Sequence, residues 1–260
     1  MSTVYAKSTD ELHDWIRAET EVVGRPARGD SGAATRRVQE WLTLHGHGVV
    51  VDGDFGPATE RALVDFQTSR GLPGTGTADA ETWGDLVRPM TVVLARRLDS
   101  SSGFGPAIIE YAGAHLASHP REVGGANRGP WVRLYLHGNE GSQWAWCAGF
   151  VTFLLTQAAD SMAAHRPITG SFRCDELAAQ AEAAGRFVAE PRADPWRLPP
   201  GSVFLVRQSP GDWTHTGIVV RAEPETFATV EGNTNDAGDR EGYEVCARTR
   251  GYTGKDFIQM

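Results

Sequence analysis

Cysteine is scarce: three residues in 260, at Cys147, Cys174 and Cys246. So few, so far apart, form neither a disulfide framework nor a zinc-ligand pattern, and an odd count leaves at least one thiol free in a monomer. Positive charge is also short. Lysine and arginine number 25 against 33 acidic residues, a net charge of -8. That excludes the basic face a nucleic-acid binder needs and removes electrostatic attraction to an anionic membrane or wall. Long apolar runs are missing as well: no stretch approaches the roughly 20 residues of a membrane-spanning helix. The opening residues Met1 to Lys7 lack a signal-peptide pattern. The expectation is a monomer made in the cytoplasm, without membrane insertion, that reaches any outside target by another route. An anionic surface would then be recognised by hydrogen bonds and stacking, for which eight tryptophans are present.

The remaining composition, 40% hydrophobic and 22% charged, is that of an ordinary globular chain, long enough for two modest domains. Residues 1–27 predict a helical extension, capped by Ser8 or Thr9, with Glu11 in the first turn. Leu12, Trp15 and Ile16 form its apolar stripe, and Gly24 and Pro26 end it. Residues 28–88 predict an all-α three-helix bundle. Val38, Trp41 and Leu42 line the first helix; Pro57 opens the second, which carries Ala62, Leu63 and Phe66; the third carries Trp83, Leu86 and Val87. Asp52 and Asp54 suggest a calcium loop, but no glutamate closes the twelve-residue pattern, so they read as turn formers. His45 and His47 lack a third ligand and read as surface loop histidines. No metal or other cofactor is expected. Residues 89–103 read as a linker, with Ser100, Ser101, Ser102 and Gly103 flexible in composition. Residues 104–260 run helices first and strands after, an α+β order in which helices pack on an antiparallel sheet.

The chemistry centres on the run from Gln143 to Val151. Cys147 stands at the first turn of an apolar helix, where free N–H groups and the helix dipole favour a thiolate. The alternative is a packed cysteine, since free cysteine is among the most buried residue types. A nucleophile needs a base, and the base needs a third group to orient it. His215 begins an apolar strand and is the candidate base, or else a strand-end histidine bonded for structure. Glu231 and Asn233, two apart on the next strand, share a face by alternation. One can orient the imidazole while the other binds substrate, or the pair is a strand-end turn.

Two resemblances join these readings. The runs from Arg28 to Gly32, Val38 to Leu42, Asp52 to Thr59 and Ala62 to Gln67 resemble the small helical peptidoglycan-binding module attached to many cell-wall hydrolases. The runs around Glu122, Asn127 to Pro130, Trp146-Cys147-Ala148, Pro200 to Phe204, His215-Thr216-Gly217 and Glu231-Gly232-Asn233-Thr234 resemble, in order, CHAP-type cysteine amidases and peptidases. The second resemblance implies a papain-like α+β domain. It also implies Cys147 as nucleophile, His215 as base, Glu231 as orienting residue and Asn233 as an accessory polar residue. Ala145 departs from the proline that many members carry before the Trp-Cys pair, and the aspartate-rich calcium loop of some members is absent.

Together the resemblances imply an endolysin-like enzyme that hydrolyses an amide of bacterial peptidoglycan through a thioester, as an N-acetylmuramoyl-L-alanine amidase or an endopeptidase. Gln143 is a candidate oxyanion donor, and Trp144 and Trp146 are candidate substrate contacts. The expected route to the wall is release by a holin or a secretion apparatus. A catalytically silent wall-binding or phage structural protein, or an amidohydrolase of a non-wall substrate, are the alternatives.

Overall fold

The structure, a computed structural model, describes residues 12–98, 103–190, 198–235 and 242–260. Ser8, Thr9, Glu11 and Ser100 to Ser102 lie outside the described residues.

The N-terminal region is helical. α1 (Asp14–Thr20) starts after His13 and ends well before Gly24, with Ile16 and Glu19 buried. α2 (Ala33–Leu44), α3 (Pro57–Ser69) and α4 (Ala80–Leu86) follow. Val38, Trp41, Leu42, Leu63, Phe66 and Leu86 meet in their shared core. Pro57 sits in the first turn of α3, where its missing N–H has no partner to lose. Asp79 caps α4 by accepting from the Thr82 N–H at 2.9 Å.

Two buried glutamines hold the turns between these helices. Gln39 Nε2 donates to the Asp52 carboxylate at 2.7 Å, the Asp54 carbonyl at 3.0 Å and the Thr59 hydroxyl at 3.2 Å, while its Oε1 accepts from the Gly53 N–H at 2.8 Å. Gln67 repeats the device one helix on. Its Nε2 donates to the Thr77 carbonyl and the Thr82 hydroxyl, both at 3.0 Å, and its Oε1 accepts from the Gly76 N–H at 3.0 Å. Asp52 therefore works inside a turn. The Asp54 N–H and the Gln39 amide hold its carboxyl below the usual value. His45 is half-buried rather than open, with Nε2 on the Leu86 carbonyl at 2.8 Å.

The segment expected as a linker is helical in its first half. α5 (Arg88–Ala95) carries a proline in its first turn and buries Met90, Val93 and Leu94, the i, i+3, i+4 spacing of one helix face.

The C-terminal region is α+β. α6 (Phe104–Ala117), α7 (Pro130–Tyr135), α8 (Cys147–Met162) and α9 (Cys174–Ala183) precede the sheet. Its strands are β1 (Phe187–Val188), β2 (Val203–Ser209), β3 (Asp212–Ala222), β4 (Thr226–Thr234), β5 (Glu244–Gly251) and β6 (Lys255–Ile258), in the order β1-β6-β2-β3-β4-β5. Every pairing is antiparallel. Alternation splits the strand residues between two faces. Val203, Leu205, Ile218 and Val230 join the core shared with α6 and α8. Phe204, Val219, Phe227 and Phe257 form a second cluster.

The two regions share one apolar core, which runs from Leu12 and Trp41 through Trp131 and Phe150 to Ile258. An ion cluster reinforces the junction. Arg133 of α7 donates to both carboxylate oxygens of Glu19 in α1, each at 2.8 Å, to Glu40 of α2 at 2.6 Å and to Glu140 at 2.9 Å. Burial opposes the charge on Arg133, and the surrounding carboxylates hold it protonated. Among the described residues no helix is long and apolar enough to cross a membrane.

Candidate active site

Helix α8 packs against strands β3 and β4, and the site gathers at their junction. Gly232 in β4 lets α8 approach: a Cβ there would stand 2.7 Å from the Trp146 ring and 2.8 Å from Phe150. The helix starts at Cys147 after Trp146, so the N–H groups of its first turn have no partner within the helix. Trp146 is fully buried, stacked on Tyr135 with centroids 5.5 Å apart, and its Nε1 donates to Glu122 at 2.9 Å. This corrects the expectation of a substrate contact. Trp146 anchors the helix start and offers no free surface to a ligand. Glu122 also accepts from the Asn127 N–H at 2.7 Å, which ties the loop ahead of α7 to the same anchor.

His215 lies in β3, and its Nε2 is 2.8 Å from Glu231 Oε2 in β4. Gly217, two residues on, makes room for that carboxylate: a Cβ there would lie 2.8 Å from both Glu231 Cγ and Phe204 Cε1. Glu231, with no exposed surface, takes two further donors. Arg250 of β5 grips both carboxylate oxygens, and Thr229 donates to Oε1 at 2.6 Å. Arg250 also lies over the Phe204 ring, 5.2 Å from its centroid.

With Nε2 committed to Glu231, the other ring nitrogen is the one left for the thiol. His215 Nδ1 is buried and has no hydrogen-bond partner. Cys147 is near enough for each to shift the other's proton affinity, although the two are not within hydrogen-bonding geometry. Burial would lower the His215 pKa. Cys147 and Glu231 outweigh it and raise the imidazole to about 9. Burial would raise Glu231; Arg250 and His215 instead bring it down to about 2. Cys147 falls well below the ordinary thiol value, through the Cys174 thiol first, then His215 and the Ala148 N–H, against the opposing effect of burial. The arrangement favours a thiolate beside an imidazolium at neutral pH, the activated form of a cysteine nucleophile.

The other expected residues are distributed differently. Asn233 does not bond to the imidazole. A register shift between Glu231 and Thr234 breaks the alternation that was to align it with Glu231, and its φ is 56°. It is 1% exposed, and its Oδ1 has no partner. Gln143 is exposed in the loop before α8, and Trp144 is half-buried with an edge contact to Phe172. Neither is fixed by the site, so both remain free to meet a ligand.

Three contributors escape the sequence reading. Cys174, at the start of α9, has its sulfur 4.0 Å from that of Cys147. Arg250 and Thr229 complete the shell of Glu231. The β4–β5 register pairs Glu231 with Cys246, and strand alternation would have pointed from there to residues 248 and 250 on the same side. No group of three or more His, Cys, Asp or Glu residues able to hold a metal ion occurs among the described residues. A cavity of about 490 Å³ lies between α6 and β3 to β5 and touches the site only through Thr229. Its other walls, among them Ile109, Leu116, Val220 and Val230, are mainly apolar and bring no reactive group together.

Residues 31–86 match the family described as "Putative peptidoglycan binding domain". The match spans α2 to α4 and well under half of the chain, and it supports peptidoglycan as the partner of that segment. Among solved structures, the N-terminal domain of SleB is 39% identical over 25% of this chain and 90% of its own, with a TM-score of 0.25. The endolysin of Burkholderia AP3 phage is 20% identical over 62% of each chain, with a TM-score of 0.24. No curated protein matches the chain.

Proposed function

We propose that the chain is a peptidoglycan hydrolase that cleaves an amide bond of the wall peptide with Cys147 as nucleophile. The observation that carries the reading is the arrangement of groups at the site. A helix-start thiol lies close enough to His215 for each to shift the other's proton affinity, the imidazole Nδ1 has no other partner, and a buried carboxylate holds Nε2 at 2.8 Å. The module at residues 31–86 supplies the wall as the substrate. On this reading residues 28–88 form a three-helix wall-binding bundle and residues 104–260 a papain-like, CHAP-type hydrolase domain.

The chemistry is acyl transfer. The Cys147 thiolate attacks the amide carbonyl, and the first-turn N–H groups of α8 stabilise the oxyanion, each such donor being worth about 3 kcal/mol. Gln143 supplies a further donor from the loop. The His215 imidazolium protonates the leaving amine, and the neutral imidazole then activates water against the thioester. Glu231, ionised throughout the working range, keeps the ring oriented with Nδ1 toward sulfur. No metal or other cofactor takes part. The protein works as a monomer at the cell wall, after release from the cytoplasm by a holin or a secretion apparatus.

The test is incubation of purified protein with isolated sacculi, following turbidity and identifying the new ends by mass spectrometry. Both cleavages free an amine, so the site decides: an amidase frees the lactyl carboxylate of muramic acid and the amino terminus of the first peptide residue, whereas an endopeptidase frees a carboxylate and an amine within the peptide. Sacculi that bind the protein but stay intact would leave only a wall-binding role. Undiminished lysis by Cys147→Ala would overturn the mechanism.

A further inference from the structure

The mechanism above uses one thiol, yet two helices begin on a cysteine at the same place. Cys147 opens α8 and Cys174 opens α9, and their sulfurs stand 4.0 Å apart, both free and both buried. The approach is built rather than incidental. Asp175 accepts from the Trp213 N–H at 2.8 Å, which pins the start of α9 to the strand that carries His215. Thr152 of α8 exchanges hydrogen bonds with Ser171, at 2.7 Å to its carbonyl and 2.9 Å from its N–H, which pins the loop before α9 to α8. A disulfide needs the sulfurs at about 2 Å, so the pair has only about 2 Å to close.

We propose that Cys147 and Cys174 form a reversible disulfide on exposure to hydroperoxides, with Cys174 as the resolving thiol that protects the nucleophile and holds it inactive. The Cys147 thiolate attacks one peroxide oxygen, and the O–O bond breaks. The departing hydroxide takes the proton of the His215 imidazolium, leaving a sulfenic acid on Cys147 and one water. The Cys174 sulfur then attacks the Cys147 sulfur, the S–O bond breaks, and the hydroxyl leaves as a second water with the Cys174 thiol proton. Two thiols are oxidised and one peroxide is reduced. Without a neighbour, the sulfenic acid would advance to the irreversible sulfinic acid. Cys147 retains 4% exposure, and hydrogen peroxide is smaller than the peptide amide the proposed reaction brings to the same sulfur. The loss of lysis on oxidation rests on the proposed function; the disulfide itself does not.

The full chain, reduced and freed of reductant, is treated with hydrogen peroxide, alkylated, digested without reduction and mapped by mass spectrometry. The expected product is a peptide joining Cys147 to Cys174, lighter by two hydrogens, with Cys246 still alkylated. Sacculus lysis is expected to fall by roughly tenfold or more and to return with dithiothreitol, whereas peroxide-treated Cys174→Ser should carry a sulfinic acid on Cys147 that dithiothreitol does not reverse. Sulfinic acid on Cys147 of the unmutated protein, a disulfide to Cys246, or three thiols still alkylated would each overturn the proposal. The peptide map of the unmutated protein decides by itself if Cys174→Ser fails to fold. A joined peptide from a protein that never lyses sacculi would leave the disulfide standing and remove the hydrolase reading.

Discussion

Both regions bury polar side chains, and they do it in opposite ways. In the turns of the helical region two buried neutral amides have complete bonds: Gln39 and Gln67 each use both ends of the amide on turn backbone and side chains. At the α8–β3–β4 junction buried ionisable groups sit beside polar atoms whose bonds are incomplete. His215 Nδ1, Asn233 Oδ1 and Thr234 Oγ1 have no partner, while Glu231 takes donors from three residues. A satisfied neutral network stabilises turns and has nothing left to offer a ligand. An orphaned buried nitrogen costs stability and persists where it has another use. The contrast separates the glutamine-held turns of the helical region from the junction proposed to react.

The strongest way to break that comparison is to remove the reacting atom. Cys147→Ala should lower lysis by on the order of 10⁴-fold or more, while sacculus pull-down through residues 31–86 stays unchanged. Equal loss of both would mean the two regions do not divide the work. The pH profile sharpens the same contrast. The active pair needs Cys147 deprotonated and His215 protonated. Activity should therefore hold from the lowered thiol value upward and decline as pH rises through about 9, where the imidazolium loses its proton. Glu231→Gln removes one contact that raises His215, so its alkaline limb should move to lower pH. An unmoved limb would show that the carboxylate does not act on this ring.

Next in size is the junction. Arg133→Gln removes the cation shared by Glu19 and Glu40 and leaves them only the partly exposed Arg37 at 3.4 Å and Arg36 at 3.1 Å, so the cost should approach, from below, the roughly 3–5 kcal/mol typical of breaking a buried pair. The loss should appear as one lowered thermal transition, because the apolar core is continuous across both regions. An early transition confined to the N-terminal helices would instead show that the shared core does not couple them. Smaller again is Gln67→Leu, which strips partners from the Gly76 N–H and the Thr77 carbonyl. Each group left unsatisfied costs roughly 1–3 kcal/mol, and wall binding should weaken while the turnover of bound substrate is kept.

How much of this is visible in the sequence depends on the range of the interaction. The helix start at Cys147 is a local signal, and so is the α+β order of elements. The contact of His215 with Glu231 is also within reach, because consecutive strands in a meander pair by default. Asn233 escapes because a bulge breaks the alternation that placed it. Trp146 misleads because residue type names an aromatic ring and says nothing of whether it faces a ligand or Tyr135. The buried helix at residues 88–95, the Arg133 cluster and the meeting of Cys147 with Cys174 all depend on how distant helices pack, and no local pattern encodes that. The three cysteines read as scattered along the chain, yet two of them touch in space.

The smallest expected effect tests what fixes the orienting carboxylate. Thr229 donates to Glu231 Oε1 at 2.6 Å, and Arg250 holds both oxygens. Thr229→Val keeps the side-chain shape, and the guanidinium bond to the same oxygen remains, so Glu231 is not left unsatisfied. The expected cost is one net hydrogen bond, about 0.5–1.5 kcal/mol of stability, with turnover reduced less than about tenfold and the alkaline limb unmoved. If Arg250→Gln were the milder substitution and Thr229→Val the severe one, the hydroxyl rather than the charge would be what aims Glu231 at His215. The charged network would then resemble the neutral one of Gln39 and Gln67 in depending on geometry more than on electrostatics. Measuring both variants for turnover, melting temperature and the position of the alkaline limb distinguishes the two.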